Sequence, residues 1–172
     1  MGSTPTPHLT HRIRPYMILP MNTQEKGNIG LLKAISWFHA NEYAVYVPIG
    51  HSGHVDLIVA KPDKRPLRVQ CKWTGKPTTA SRRRAPNAQH YAIDLRGRAN
   101  RLGGKWGVTM NYTKNSFDLL FASCPAGNFL IPWNSERAKH PNINLGPSNA
   151  RYKLTDIATP APHFERRMIC TM

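Results

Sequence analysis

Acidic residues are scarce. The 172-residue chain holds 9 Asp and Glu against 24 Lys and Arg, a formal net charge of +15. Such an imbalance points to a polyanionic partner. Cysteine is sparse too. Cys71, Cys124 and Cys170 lie far apart and form no CxxC. This argues against a disulfide framework or a structural zinc site, and it fits a reducing compartment. The expected location is cytoplasmic, or organellar in a eukaryotic host. No apolar run approaches the 18 residues of a membrane span, and no amphipathic basic helix suits a membrane surface. No signal-peptide core and no internal repeat are visible. What remains is 40% hydrophobic and only 19% charged, the composition of one globular domain.

The basic charge is concentrated. Nine basic residues fall between Lys72 and Lys105 against one acid, Asp94. Lys76, Arg82, Arg83, Arg84, Arg96, Arg98 and Arg101 are the candidates for gripping a phosphate backbone. Arg predominates among them, and its fork suits bidentate phosphate contacts. Double-stranded DNA is the expected partner.

Residues 1–20 hold four Pro and no clear period, and read as a flexible tail. Residues 23–40 read as a helix. Asn22 followed by Glu25 is a capping-box pattern. Ile29, Leu32, Ile35 and Phe38 recur at helical spacing. Gly27 and Gly30 each weaken the first turns by roughly 1 kcal/mol against Ala, but small residues let the backbone approach a strand or a phosphate. Strands are expected at 43–48, 55–60, 67–73, 91–95, 106–112, 117–123 and 128–132. The turn Lys61, Pro62, Asp63 makes the second and third an antiparallel hairpin. Residues 74–88 and the Gly/Arg-rich stretch to Gly104 read as loops. Residues 133–172 read as loop-rich, with a short helix near 135–138. The residues alone give an α/β sandwich with a mostly antiparallel sheet.

The hairpin carries the chemistry. Asp56 opens its first strand. Gln70 and Lys72, two apart on the second, point to one face. The similar strand lengths from the turn bring Asp56 and Gln70 opposite each other. The Cys71 backbone carbonyl, between Gln70 and Lys72, can supply another oxygen. A carboxylate, an amide oxygen and a carbonyl oxygen suit a hard ion such as Mg²⁺, with Mn²⁺ as an alternative. A Lys beside that ion can orient water or stabilise a crowded phosphorus. The pattern points to metal-assisted phosphodiester hydrolysis.

The run Gly-His-Val-Asp-Leu-Ile-Val at 53–59, followed by Arg-Val-Gln-Cys-Lys at 68–72, resembles the core of the PD-(D/E)xK nuclease superfamily. Glu-Lys-Gly-Asn-Ile-Gly at 25–30 and Phe-Leu-Ile-Pro at 129–132 extend the likeness to its group I intron-associated homing endonucleases. Holliday junction resolvases share that core. The resemblance implies a restriction-endonuclease-like α/β fold, a central mixed β-sheet flanked by helices, over residues 21–155, with 156–172 as a C-terminal tail. It implies Asp56 and Gln70 as metal ligands, Lys72 as the catalytic lysine, and a homo-oligomer, dimer or tetramer. The family pattern has an acid one position after the second glycine of the helix. Leu31 stands there. Three readings follow: an intron-homing endonuclease, a junction-resolvase-like nuclease, and a catalytically degenerate DNA binder of the same fold.

Other residues read more blandly. His51 and His54 with Asp56 are a cramped zinc set, and a hydrogen-bonded turn suits them better. Ser52 lacks the context of a nucleophile elbow. Trp73 and Trp106 read as packing residues, and Asp118 as the anchor of a strand or a neighbouring loop.

Overall fold

The computed structural model describes residues 22–49, 54–75, 77–78, 90–99 and 108–154. Helix α1 spans Thr23–Ala40. Its start is the expected capping box. Asn22 Oδ1 accepts the Glu25 amide at 2.9 Å, and the Glu25 carboxylate accepts the Asn22 amide at 2.7 Å. Two donors that the first turn would leave unpaired are thereby satisfied. The helix ends at Asn41, whose side-chain amide donates to the Trp37 carbonyl at 2.8 Å.

Nine strands are described: β1 Ala44–Tyr46, β2 Leu57–Ala60, β3 Leu67–Trp73, β4 Tyr91–Asp94, β5 Arg96–Ala99, β6 Val108–Asn111, β7 Leu119–Cys124, β8 Gly127–Pro132 and β9 Asn142–Leu145. The main sheet is mixed, in the order β1-β2-β3-β7-β8. Strands β1, β2 and β3 form an antiparallel meander. Strand β3 then pairs in parallel with β7, Val69 opposite Leu119 and Lys72 opposite Ala122. Strand β8 returns antiparallel to β7. All six residues of β7 are buried. Its near-unbroken apolar run is what a central strand covered on both faces requires.

One face packs on α1 through Ala34, Trp37 and Phe38, set against Leu57, Val59, Val69, Leu119 and Phe121. The other carries Leu120, Ala122, Phe129 and Ile131, covered by Tyr91, Ile93, Ile143 and Leu145 of the two-stranded β4–β9 ribbon. Ala138 of the short helix α2, Ser135–Ala138, also packs there. The fold is the α/β, restriction-endonuclease-like arrangement, and the mixed sheet separates two cores. Strands β5 and β6 form a separate ribbon.

Asp118 fastens the hairpin to the sheet. Its carboxylate accepts the Arg68 amide at 2.8 Å and pairs with the Arg68 and Arg65 guanidiniums, each at 3.2 Å. Burial alone would raise its pKa, but the Arg68 and Arg65 contacts hold it below the usual carboxylate range. The anchoring role read from sequence is the one observed.

Three elements depart from the sequence reading. The stretch from Arg96 is not all loop: 96–99 pairs with 108–111 as a ribbon. The segment after Trp133 contains β9 and a 3-10 helix, Pro147–Tyr152. In β9 only Ile143 and Leu145 are apolar, too short a pattern to stand out. The first strand shrinks to three residues at the sheet edge.

Candidate active site

The hairpin register does what its spacing promised. Leu57 pairs with Val69, and the Asp56 amide donates to the Val69 carbonyl at 2.9 Å. Asp56 therefore enters β2 beside Gln70. Its Oδ2 accepts the Cys71 amide at 2.7 Å and a short hydrogen bond from Gln70 Nε2. The Gln70 amide nitrogen also lies 3.3 Å from the Cys71 carbonyl. Lys72 follows on the same face, half-buried. Its ammonium donates to the Arg96 carbonyl at 3.4 Å and lies 5.3 Å over the Tyr112 ring.

These groups line one open cleft of about 760 Å³. Asp56, Gln70, Cys71, Lys72 and Trp73 form its floor. Gln24, Lys26, Asn28 and Leu31 of α1 form one wall, and Asp94 and Arg96, at the junction of β4 and β5, form another. The amino end of a helix suits a phosphate, because its free amides and dipole favour negative charge.

The electrostatics follow from burial. Desolvation raises the Asp56 carboxyl above its ordinary value, against the Cys71 amide, the Lys72 charge and the Gln70 amide, which all lower it. Desolvation likewise lowers the Lys72 ammonium, opposed by Asp56 and Asp94. Each group loses water and regains only part of that solvation from the other. Asp94 is bound chiefly to another partner. The Arg96 side chain clasps its carboxylate at 2.8 and 2.9 Å and lowers its pKa.

The donor set fits a hard cation. It offers the Asp56 carboxylate, the Cys71 carbonyl and, with the amide turned over, Gln70 Oε1, leaving other positions to water and phosphate. As placed, the Gln70 amide presents nitrogen to Asp56, and side-chain amides are oriented by their hydrogen-bond network. Among the described residues no three His, Cys, Asp or Glu side chains gather as a metal-holding group. Any ion must therefore lean on amide and carbonyl oxygens.

Two positions of α1 bear on whether a second carboxylate supplements Asp56. Glu25 is exposed and committed to the helix cap. Leu31, where an acid was expected, does face the cleft. His54 packs edge-on against Tyr112, centroids 5.0 Å apart. Arg96 sits at the cleft, and Arg98 is on β5 two residues further along. Lys76, Arg82, Arg83, Arg84, Arg101, His51, Ser52, Trp106 and Cys170, with both proposed tails, lie outside the described residues.

Sequence reasoning missed Asp94 and Tyr112. Asp94 was visible only as the lone acid in a basic stretch. Tyr112 gave no local signal. Both reach the site through pairings distant in sequence.

The model of the PD-(D/E)XK endonuclease family matches residues 21–153. No curated protein matches the chain. Among solved structures, a bacterial homing endonuclease, I-Ssp6803I, aligns with a TM-score of 0.60 and 23% identity. The alignment covers 77% of this chain and 89% of that one. This likeness shows a shared fold.

Proposed function

Because this chain belongs to the PD-(D/E)XK endonuclease family, we propose that it is a Mg²⁺-dependent endonuclease that hydrolyses phosphodiester bonds in double-stranded DNA as an intron-homing enzyme. The observation that carries this reading is the meeting of Asp56, Gln70 and Lys72 in one cleft. The net charge of +15 supports a DNA substrate. The likeness to a bacterial homing endonuclease supports the homing type. The chain acts as a homo-oligomer, dimer or tetramer, since one cleft addresses one strand.

Asp56, the Cys71 carbonyl and Gln70 would hold the ion. When bound, it would acidify a water and offset charge on the phosphate. Lys72 reaches the same point from the side. Its ammonium orients the attacking water and stabilises the charge building on the phosphate oxygens. Burial lowers its pKa, and the charges of Asp56 and Asp94 oppose that shift. Lys26 and Arg96, which both line the cleft, hold the flanking phosphates.

A second reading has its own observation. Leu31 faces the cleft and Glu25 is tied into the cap, so Asp56 is the floor's one carboxylate. That composition supports a binder that has lost turnover.

A plasmid-nicking assay with Mg²⁺, with Mn²⁺ and with EDTA separates the two. The plasmids carry candidate intron-insertion sequences, and a synthetic four-way junction runs in parallel. Lys72→Ala is the control for contaminating nuclease. Metal-dependent nicking lost in the variant supports the enzyme. Preference for the junction moves the assignment to a resolvase-like nuclease. Salt-sensitive binding without turnover on any substrate favours the binder.

A further inference from the structure

Lysine is a poor catalytic tool unless something holds it. Its four-carbon stem has many rotamers, and its ammonium is strongly hydrated. In this cleft two groups meet the Lys72 ammonium. One is the Arg96 carbonyl at 3.4 Å. The other is the face of Tyr112, with the ammonium 5.3 Å from the ring centroid. A cation at this distance over an aromatic face is attracted by the ring quadrupole, more so where water is reduced.

The Tyr112 ring is held firmly. It is 5% exposed. Phe117 packs edge-on against it at 5.0 Å and 81°, and Trp133 at 6.1 Å and 87°. The Trp133 indole donates to the Thr113 carbonyl at 2.7 Å, which fixes the backbone next to Tyr112. His54 closes a further edge. The ring is a rigid plate anchored in the core beneath the β4–β9 ribbon.

We propose that Tyr112 is a positioning residue for Lys72: its ring face, and not its hydroxyl, seats the ammonium beside Asp56 for phosphodiester cleavage. This rests on the role of Lys72 given above. The Arg96 carbonyl and the Tyr112 ring both meet the ammonium itself. Aromatic character at position 112 is then what the reaction needs.

The test keeps the ring's shape and changes its charge distribution. Tyr112 is replaced by Phe, then by phenylalanines carrying one, two and three fluorines, which progressively cancel the negative face. Tyr112→Phe is expected to retain kcat within about twofold. Along the fluorinated series kcat is expected to fall stepwise, about tenfold in total, with KM and Tm unchanged. A flat series, or a fall that follows Tm, overturns the proposal.

A second readout needs no turnover. In protein labelled at the lysine ε-carbon, the Lys72 signal, assigned through Lys72→Arg, is expected upfield from the ring current. It is expected to return to the common lysine position in Tyr112→Leu. An unshifted signal in the wild type overturns the seat itself. A wild type that nicks nothing while the signal stays shifted removes the nuclease reading, and with it any catalytic role for the seat.

Discussion

Gly30 lies directly against Trp73. A Cβ built on this glycine would come 3.3 Å from the Trp73 Cβ and 3.3 Å from the Lys72 carbonyl carbon. Glycine here lets α1 settle on the strand that carries the site. Gly30→Ala gains helix propensity, about 1 kcal/mol, but must push the helix off β3. Overpacking of this kind costs about 1–3 kcal/mol. A net loss is expected, with Tm down by a few degrees and nicking reduced, because the displaced backbone is that of Lys72. Thermal unfolding beside the nicking assay checks this, and an unchanged or raised Tm would show that the helix moves freely.

Asp56→Asn keeps an acceptor for the Cys71 amide and removes the charge. Cleavage is expected to fall by roughly a thousandfold, the scale of several kcal/mol of transition-state stabilisation. DNA affinity is expected to stay within about threefold, below about 1 kcal/mol. Because burial raises the Asp56 pKa in the metal-free protein, its carboxyl carbon should titrate above the range ordinary for an aspartate when followed by NMR without metal. A titration in the ordinary range would mean that Asp56 is well solvated.

Leu31 faces the cleft from α1. Leu31→Glu adds a carboxylate where the floor has one. Calorimetric titration with Mn²⁺ is expected to show about tenfold tighter binding, worth about 1.4 kcal/mol. Unchanged affinity would mean that position 31 does not reach the ion.

Asp118 tests the hairpin clamp. Its carboxyl is held low by Arg68 and Arg65, so its contribution is fully present above the unfolded-state pKa. It is lost as pH falls through the lower folded-state value. Asp118→Asn is expected to cost about 2 kcal/mol at neutral pH, the range for hydrogen bonds to a charged group. Urea unfolding should show that deficit shrinking in acid. A deficit constant with pH would assign it to geometry instead.

Arg96 clasps Asp94 at the edge of the cleft. If DNA takes over this guanidinium, Arg96→Ala should lower the slope of log affinity against log salt by about 0.9, one phosphate's share. Binding assays from low to physiological salt read this directly. An unchanged slope would keep Arg96 with Asp94 in the complex.

Local signals carried much of this molecule. Helix α1 occupies the residues its capping box and apolar spacing indicated, and β3 the seven residues expected as a strand after the Lys61–Asp63 turn. The meeting of Asp56 and Gln70 was legible because a short turn fixes the register between them. Tyr112 and Asp94 were not legible. Asp94 depends on β4 pairing with β9 and Tyr112 on the packing of Phe117 and Trp133, and no short-range period encodes such encounters. The expected strand through Tyr112 stops one residue short of it, at Asn111, and Tyr112 itself is buried.

The parallel pairing of β3 with β7 also governs when this site can exist. Val69 finds Leu119, and Lys72 finds Ala122, only after the whole intervening stretch has been made. A hairpin closes early and cheaply, whereas a contact this far along the chain waits for a large loop to close. During synthesis Asp56 and Gln70 can meet as soon as the hairpin emerges, but their strand remains a sheet edge until β7 arrives. The protein therefore becomes competent late. A chain interrupted before Leu119 carries the motif without the sheet that holds it.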